Sequence, residues 1–487
     1  MRLFKFTPLV TVFCAYVWAE PYLSPNDPFI RHEIRLLGDQ GGLNGLQNTW
    51  PLDLGGLSSM RNDAVGKLPH SLLDDKISTE SRSGWSPIFT TIGLSDDRVT
   101  ARGFGPEPRS SLATNASVSW LNDRFAAKLS LNAFYGMEKD WKGRKDEGIA
   151  LDGSYIATRL GNWSVSFGQV ERWWGPGWDG SLILSTNARP IPAISIDRRV
   201  PEPFETKWLS WIGPWSFHSF IGRLEKERTV PNPYLWGMRG EFKPTILDGL
   251  EIGFFRMMQL GGKGYPSNFS VWVDAFLSQD NFRSLQAGKA TEPGNQLAGI
   301  DFRWNVFDAP ISIYGQVAGE DEDNFFPNAL MFQYGAEGWR QFGDFSLRGF
   351  VEYSDLTSYW WNGHHEKYDI SYNHGRYKDG FRFRGKSIGH WADQDSQILS
   401  VGGLLLRNDG VAWGTILRNG VINGGGSSKS SISESSSDFF SFDLFNARQY
   451  PQYGLSVHTS LGWESLEPRG GQKDDGLSGF LSLTRIF

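Results

Sequence analysis

The chain has 487 residues, a formal net charge of −6 and a mean hydropathy of −0.37. A mildly acidic chain without a run of basic residues argues against nucleic acid and against a polybasic contact with lipid headgroups. After Ala19, no uncharged apolar run approaches the ~18 residues that a membrane-spanning helix needs, which excludes a helical membrane protein.

Residues 1–19 have the pattern of a secretory signal peptide. Arg2 and Lys5 form a basic start, an apolar stretch follows, and residues 17–19 (VWA) resemble a signal-peptidase site. The only cysteine, Cys14, lies inside this segment. We therefore predict an exported protein whose mature part contains no disulfide.

Residues 20–84 read as a helical segment. The run NDPFIRHEIRLLGDQGGL begins with a cap-like Asn26-Asp27, has Pro28 near its first turn, and places apolar residues at helical spacing before its glycines. TWPLDLGGLSSM and KLPHSLLDDKIST predict two more short helices.

From about Trp85 the hydrophobic period changes to two. In residues 298–306, for example, apolar residues alternate with a polar set that includes Asp301 and Arg303. Such segments run roughly nine to eleven residues, the length of a tilted membrane-spanning strand, and their polar faces carry charges that a β-sandwich core would not accept. The 21 Trp, 34 Phe and 15 Tyr fit the aromatic girdles of a membrane barrel. A soluble periplasmic sandwich or propeller is the alternative, and no repeat of ~40–50 residues supports the propeller.

The C-terminal GFLSLTRIF supplies a second indication. A terminal Phe487 on a last strand resembles the end that assembly machinery reads in outer-membrane barrels, and Leu481 and Leu483 share one face, although Arg485 breaks the pattern. Together these features predict an all-β transmembrane barrel over residues 85–487, with room for roughly sixteen to eighteen antiparallel strands. So wide a barrel encloses a lumen. We expect residues 20–84 to plug it, the alternative being a separate periplasmic subdomain.

The stretch VERWWGPGWDGSLILSTNARPIPAISI places three indoles around a Gly-Pro-Gly turn. Neighbouring residues of a strand point to opposite faces, so we expect one of Trp173 and Trp174 to face lipid as an interfacial anchor. The following prolines favour an edge or an inward-folded loop. Trp178 and Arg189 are the candidates for contact with sugar.

Two loops and one acidic run carry side chains that could bind a metal or take part in catalysis. Residues 364–380 are polar and long, and residues 424–438 are serine-rich and predicted to be disordered or a long surface loop. His364, His365 and His374 share the first loop, which raises the alternative of a metal site. The acidic run consists of Glu320, Asp321, Glu322 and Asp323. These carboxylates could pair with interior arginines, bind calcium, or serve as the acid and base of a glycosidase. The spacing favours pairing with arginines.

Several motifs in order resemble the capsule assembly protein Wzi family. They include HEIRLLGDQGGLNGLQNTWPLDLGGL, QVERWWGPGWDGSLILSTNARPIPAISI, GNQLAGIDFRW, YGQVAGEDEDNFFPNALMFQYGAEGW and VEYSDLTSYWW. The resemblance covers most of the chain from His32 to Trp361 and continues more loosely to the end. It implies an 18-stranded barrel with an N-terminal α-helical plug in the outer membrane of a Gram-negative bacterium. It also implies a lectin-like role in binding capsular polysaccharide and organising the capsule, without catalysis.

The function predicted from the sequence is therefore a capsule lectin, in contact with outer-membrane lipid and with no cofactor or metal. A substrate-selective porin is the alternative, and a polysaccharide hydrolase is less favoured. If the capsule is acidic, arginines are candidate partners for its carboxylates. The candidate polysaccharide-binding residues are Trp178, Arg189, Arg223, Arg228, Arg239, Glu320, Asp321, Glu322 and Asp323.

Overall fold

The structure is a computed structural model. It describes residues 22–62, 72–80, 84–94, 100–137, 145–276, 294–306, 309–323, 326–360 and 364–486. The predicted signal peptide and the terminal Phe487 lie outside these residues, so both remain predictions.

Eighteen long strands among the described residues form a closed antiparallel barrel. The barrel closes where the last strand pairs with the first, from Phe480 opposite Leu94 to Ile486 opposite Ile88. Two short segments, Gly148–Ala150 and His364–Lys367, extend the pairing at one end. The strands are β1 Gly84–Leu94, β2 Leu112–Leu121, β3 Phe125–Tyr135, β4 Tyr155–Leu160, β5 Trp163–Gly168, β6 Ala193–Arg198, β7 Trp215–Arg223, β8 Tyr234–Phe242, β9 Leu250–Leu260, β10 Gly294–Asn305, β11 Ile311–Asp323, β12 Phe326–Phe342, β13 Phe345–Trp360, β14 Gln397–Arg407, β15 Val411–Ile422, β16 Ser437–Tyr450, β17 Leu455–Pro468 and β18 Asp474–Ile486.

The predicted alternation is confirmed in the wall of the barrel. Ile300 and Phe302 of β10 are exposed on the outside, whereas Asp301 and Arg303 between them are buried in the lumen. Successive side chains of a strand point to opposite faces, so one wall supplies an apolar exterior and a polar interior. The long connections, such as residues 169–192 and 368–396, lie at one end of the barrel, and short turns such as 343–344 and 408–410 lie at the other.

Four helices accompany the described strands, three of them N-terminal as predicted. They are α1 Pro28–Asp39, α2 Leu54–Met60, α3 Leu72–Glu80 and α4 Phe269–Phe276. α1 begins where the Asp27 carboxylate accepts hydrogen bonds from the amides of Phe29 and Ile30, with Pro28 in the first turn. No helix of the described part combines the length and apolar character that crossing a membrane requires.

α1 lies inside the barrel, because its side chains contact inward-facing residues of the wall. The Arg35 guanidinium donates to Glu337 of β12 at 3.0 Å. His32 lies between Ser346 Oγ, 2.7 Å from Nε2, and Arg348 Nε, which donates to Nδ1 at 2.9 Å. Burial, and then Arg348, hold the pKa of His32 well below its usual value. The imidazole is therefore neutral and donates from Nε2.

A second filling segment is the loop of residues 169–192, which folds into the lumen. Trp173 and Trp174 pair as a short strand with Trp50 and Thr49 of the N-terminal segment, and both indoles are buried. The predicted lipid-facing anchor at this pair is therefore wrong, because the pair belongs to an inward hairpin and not to the wall. The prediction of an inward-folded loop is confirmed.

The two polar loops are held in place by hydrogen bonds. In residues 369–396 the chain returns into the barrel mouth, where Tyr372 is buried and its hydroxyl donates to the carbonyl of Leu182 at 2.7 Å. The serine-rich loop packs on it: the Ser431 amide donates to Asp393 at 2.8 Å, and Lys429 bonds Asp369 at 2.9 Å. Of the two alternatives predicted for residues 424–438, disorder or a long surface loop, the structure shows the loop, which side-chain hydrogen bonds hold in place.

Candidate functional site

The centre of the lumen is organised around the carboxylate of Glu337. It accepts from Arg35 at 3.0 Å, from Arg303 at 2.6 Å, from Arg348 at 2.9 Å and from the indole N–H of Trp178 at 2.6 Å. All of these groups are buried. One carboxylate therefore ties α1, two strands of the wall and the inward hairpin to one another.

The ring of Trp178 packs against one aromatic ring and two guanidinium groups. Phe350 stacks on it at a centroid distance of 5.6 Å and an angle of 13°, and the guanidinium groups of Arg31 and Arg35 lie 4.8 and 4.7 Å from the ring centre. The residue is 3% exposed. The ring is thus closed to solvent, so the predicted stacking on a sugar finds no exposed face in this structure.

Glu352 fixes the backbone of the same hairpin. Its carboxylate accepts from the amides of Trp178 at 2.7 Å, Asp179 at 3.1 Å and Gly180 at 3.0 Å, and from the hydroxyl of Tyr314 at 2.9 Å. Three successive amides aimed at one carboxylate form a compact anion-binding turn. The glutamate locks the turn into the barrel.

Arg239 is a buried structural residue and not a surface contact. Its guanidinium makes a bidentate pair with Asp301, at 2.5 and 2.9 Å, and its Nε donates to the Thr49 hydroxyl at 2.5 Å. Its side chain is 0% exposed. The bidentate pair and the contact with the plug take up the guanidinium inside the barrel, so the structure offers no exposed donor of Arg239 for the predicted contact with polysaccharide.

Arg228 and Arg223 lie near the end of the barrel that carries the long loops. Arg228 is buried, pairs with Glu225 at 3.3 Å and donates to the carbonyls of Gly380 and Arg382. It therefore holds two loops together from a buried position and not from an exposed one. Arg223 is exposed, with its guanidinium 5.5 Å from the ring centre of Tyr234. Arg223 remains a candidate for contact with a ligand.

The acidic run begins with a residue that anchors a loop. The Glu320 carboxylate accepts from the backbone amide of Tyr372, and Glu320 is buried. It thus holds the inward loop of residues 369–396 to the end of β11. The side chains of Asp321, Glu322 and Asp323 lie outside the described residues, so their predicted roles stay predictions.

The predicted histidine site can be tested only at His374. Its Nδ1 accepts from the amides of Arg376 and Tyr377, both at 3.2 Å, and its ring packs on Tyr377. The side chains of His364 and His365 lie outside the described residues. Within the described part of the chain, no group of three or more His, Cys, Asp or Glu side chains is placed to hold a metal ion.

A charged cluster at the loop-bearing end joins one predicted residue, Arg189, to three residues that the sequence did not single out. Arg189 bonds Asp152 through two nitrogens at 2.8 and 2.9 Å and also pairs with Asp146. Arg384 pairs with the same Asp146, and the Arg189 guanidinium lies 5.0 Å from the ring centre of Phe134. We call Asp146, Asp152, Arg189 and Arg384 the rim cluster.

Arg384 is presented by a two-residue hairpin turn. Arg382–Phe383 pair with Lys386–Ser387, and both residues of the turn have positive φ, 50° at Arg384 and 80° at Gly385. A type I′ turn needs positive φ at both positions, and a non-glycine residue adopts it at a cost. Such a residue is a candidate for function. The RG pair between short polar runs is the signal that could have located it.

The fold and the interior define the class of protein. A closed antiparallel barrel of eighteen strands, apolar outside, polar inside and filled by an N-terminal segment, is an outer-membrane β-barrel. The comparisons with known proteins specify the class further.

The family model "Capsule assembly protein Wzi" matches residues 85–448, and the chain belongs to this family. A Klebsiella pneumoniae relative, described as an uncharacterized 55.8 kDa protein in the cps region, is 33% identical over 346 residues, covering 68% of this chain. The match spans 65% of that relative's length, slightly under two thirds. The solved structure of Wzi from Escherichia coli has a TM-score of 0.81 at 25% identity, covering 95% of this chain and 98% of that chain.

That solved protein is described as an outer membrane protein involved in group 1 capsule assembly and as a carbohydrate-binding β-barrel. The fold and family place the present chain in the outer membrane of a Gram-negative bacterium. The resemblance predicted from the sequence is confirmed, as is the predicted fold class.

Proposed function

We propose that this protein binds capsular polysaccharide at the loop-bearing end of its barrel and helps to organise the capsule there. The observation that carries the proposal is the filled lumen: α1 and the inward hairpin are tied to the wall by Glu337 and Glu352. A polymer that reaches such a barrel meets a closed surface of loops. Membership of the Wzi family and the description of the solved relative support the same function.

The chemistry of the rim cluster suits an acidic or hydroxyl-rich polymer. Arg384 is 40% exposed at its side chain and shares Asp146 with Arg189. A guanidinium can form paired hydrogen bonds with a sugar carboxylate, and the neighbouring aspartate can accept from hydroxyls. Arg223, exposed beside Tyr234, offers a second donor next to an aromatic ring.

Binding of purified protein to purified capsular polysaccharide tests the proposal directly. Wild type in detergent micelles should retain the polymer in a sedimentation assay, and Arg384→Ala should retain less. Arg407→Ala is the matched control, because Arg407 is similarly exposed and also pairs with an aspartate, but at a short turn of the opposite end. Equal retention by both variants, at wild-type level, would remove the rim cluster from the proposal.

A selective porin is the second candidate, and the polar interior favours it in principle. Against it stand the buried ion pairs that cross the lumen from α1 to the wall. A cavity between α1 and β15–β18 has a volume of about 20 Å³, which is room for about one water. Planar-bilayer recording separates the two functions: large steady conductance from the intact chain would support the porin.

We propose further that the protein acts without catalysis. Incubation with capsular polysaccharide followed by sizing tests this, since a hydrolase would shorten the polymer. We also propose that residues 1–19 are removed on export, that residues 20–84 act as one plug unit within the barrel of residues 85–487, and that Phe487 is read by the barrel assembly machinery.

A further inference from the structure

Helix α4 lies outside the barrel, on the face of the wall that points to lipid. It packs on Trp236 and Met238 of β8 and on Met258 and Leu260 of β9. These positions alternate with the inward-facing Arg239, so they belong to the outer face. Met258 and Leu260 are nevertheless 0% exposed, because the helix covers them.

The other side of α4 is apolar as well. Its sequence is FSVWVDAF, and Phe269 is 83% exposed while Phe276 is 51% exposed. Six of its eight residues are apolar, the exceptions being Ser270 and the half-buried Asp274, and a helix that is apolar on most sides is found buried or in a membrane. The exposed side continues the apolar band of the wall, in which Ile221 of β7 and Phe254 of β9 are also exposed. An established lipid-facing surface thus extends across the helix.

The helix also shields a polar site in that surface. Arg256 of β9 pairs with Ala298 across the wall and points outward, in register with Met238. Its guanidinium donates to the side-chain oxygen of Gln296 and, at 3.0 Å, to the carbonyl of Phe276. An unshielded guanidinium in hydrocarbon is costly. α4 therefore supplies both a cover for the arginine and an acceptor for its hydrogens.

The position of α4 along the barrel axis indicates which leaflet of the membrane it contacts. α4 covers the ends of β8 and β9 from which the long connections run, and long loops face the exterior in outer-membrane barrels. Tyr234, Trp236 and Trp272 form an aromatic cluster there, as expected at the boundary between hydrocarbon and headgroups.

We propose that α4 is a lipid-binding element, embedded at the upper edge of the outer leaflet, with Phe269 and Phe276 packed against acyl chains. Packing of the helix on the wall orients these two rings toward lipid. This surface is separate from the rim cluster, so the inference does not depend on polysaccharide binding.

Site-specific labelling tests the proposal, since the sole cysteine, Cys14, lies in the predicted signal peptide. Phe269→Cys and Phe276→Cys are labelled with a polarity-sensitive fluorophore in the full chain and reconstituted into phosphatidylcholine vesicles. The control is Lys226→Cys in the loop after β7, where the lysine side chain is 77% exposed. Heat-modifiability on SDS gels selects folded protein before measurement.

The helix labels should emit at shorter wavelength than the control. Lipids brominated on the upper acyl chain should quench them several-fold more, and aqueous iodide several-fold less. Either helix label satisfying all three criteria supports the proposal. Quenching of both helix labels by iodide to the extent seen at position 226, without quenching by brominated lipid, would overturn it and leave a protein partner as the occupant.

Discussion

Replacement of Glu337 by glutamine is the sharpest test of how the lumen is closed. The carboxylate accepts from three guanidinium groups and one indole, at 2.6 to 3.0 Å, with its side chain fully buried. Glutamine keeps nearly the same shape and an oxygen acceptor for Trp178. The substitution therefore removes the negative charge and leaves the packing almost unchanged.

The expected loss follows from what each arginine retains. Arg303 keeps Asp39 at 2.8 Å and Arg348 keeps it at 3.4 Å, whereas Arg35 keeps a neutral acceptor, the carbonyl of Pro176. Removal of one partner from a buried pair costs about 3–5 kcal/mol. Since two of the three cations keep an anion, we expect the lower end, about 3 kcal/mol.

The measurement is thermal unfolding in detergent micelles, followed by loss of heat-modifiability on SDS gels. Glu337→Gln should melt at clearly lower temperature than wild type and make α1 more accessible to protease. Asp409→Asn, which removes the acid of an exposed pair with Arg407, should melt as wild type. Wild-type melting and protease resistance in Glu337→Gln would refute the role assigned to this carboxylate.

Three further predictions concern other parts of the molecule. Trp178→Ala should destabilise the fold by about 3–5 kcal/mol, and its polysaccharide binding per folded molecule should equal wild type; reduced binding per folded molecule would restore Trp178 as a contact. Burial lowers the pKa of His390 from its ordinary value of 6.5 to about 4, so the folded chain favours neutral imidazole. The resulting contribution to the free energy of unfolding, about 3 kcal/mol, is present above pH 6.5 and is lost as the pH falls from 6.5 toward 4. His390→Gln should therefore flatten the dependence of melting temperature on pH in that range. An unchanged slope would contradict this. Deletion of residues 20–84 should produce large conductance in planar bilayers where the intact chain shows little.

The strands of the barrel wall could be predicted from the sequence, because the alternation of apolar and polar residues is a local pattern. Ile300 faces lipid and Asp301 faces the lumen because adjacent residues of a strand point to opposite faces. α1 was predictable for a similar reason, since Asp27 and Pro28 mark its start.

The side-chain contacts inside the lumen could not be predicted from the sequence, because they join residues that are far apart in the chain. The turn at Trp178 is fixed by Glu352, 174 residues away, and Arg239 is taken up by Asp301, two strands further along the chain. Sequence shows that a charge must be satisfied but not by which residue. The arginines predicted to bind polysaccharide were therefore a mixture of internal ties and surface groups.

Sequence reasoning identified only part of the rim cluster. Arg189 was identified from its aromatic surroundings, and it does lie in the rim cluster. Arg384 was missed because its exposure depends on a type I′ hairpin with positive φ at an arginine, a conformation that residue type alone does not predict.

The central claim is that this barrel holds capsular polysaccharide at the cell surface. The most direct measurement is the ratio of cell-attached to shed polysaccharide in an encapsulated host from which the gene has been deleted. The account predicts that polymer shifts to the medium on deletion and returns to the cell when wild type is restored. Unchanged attachment after deletion would contradict it.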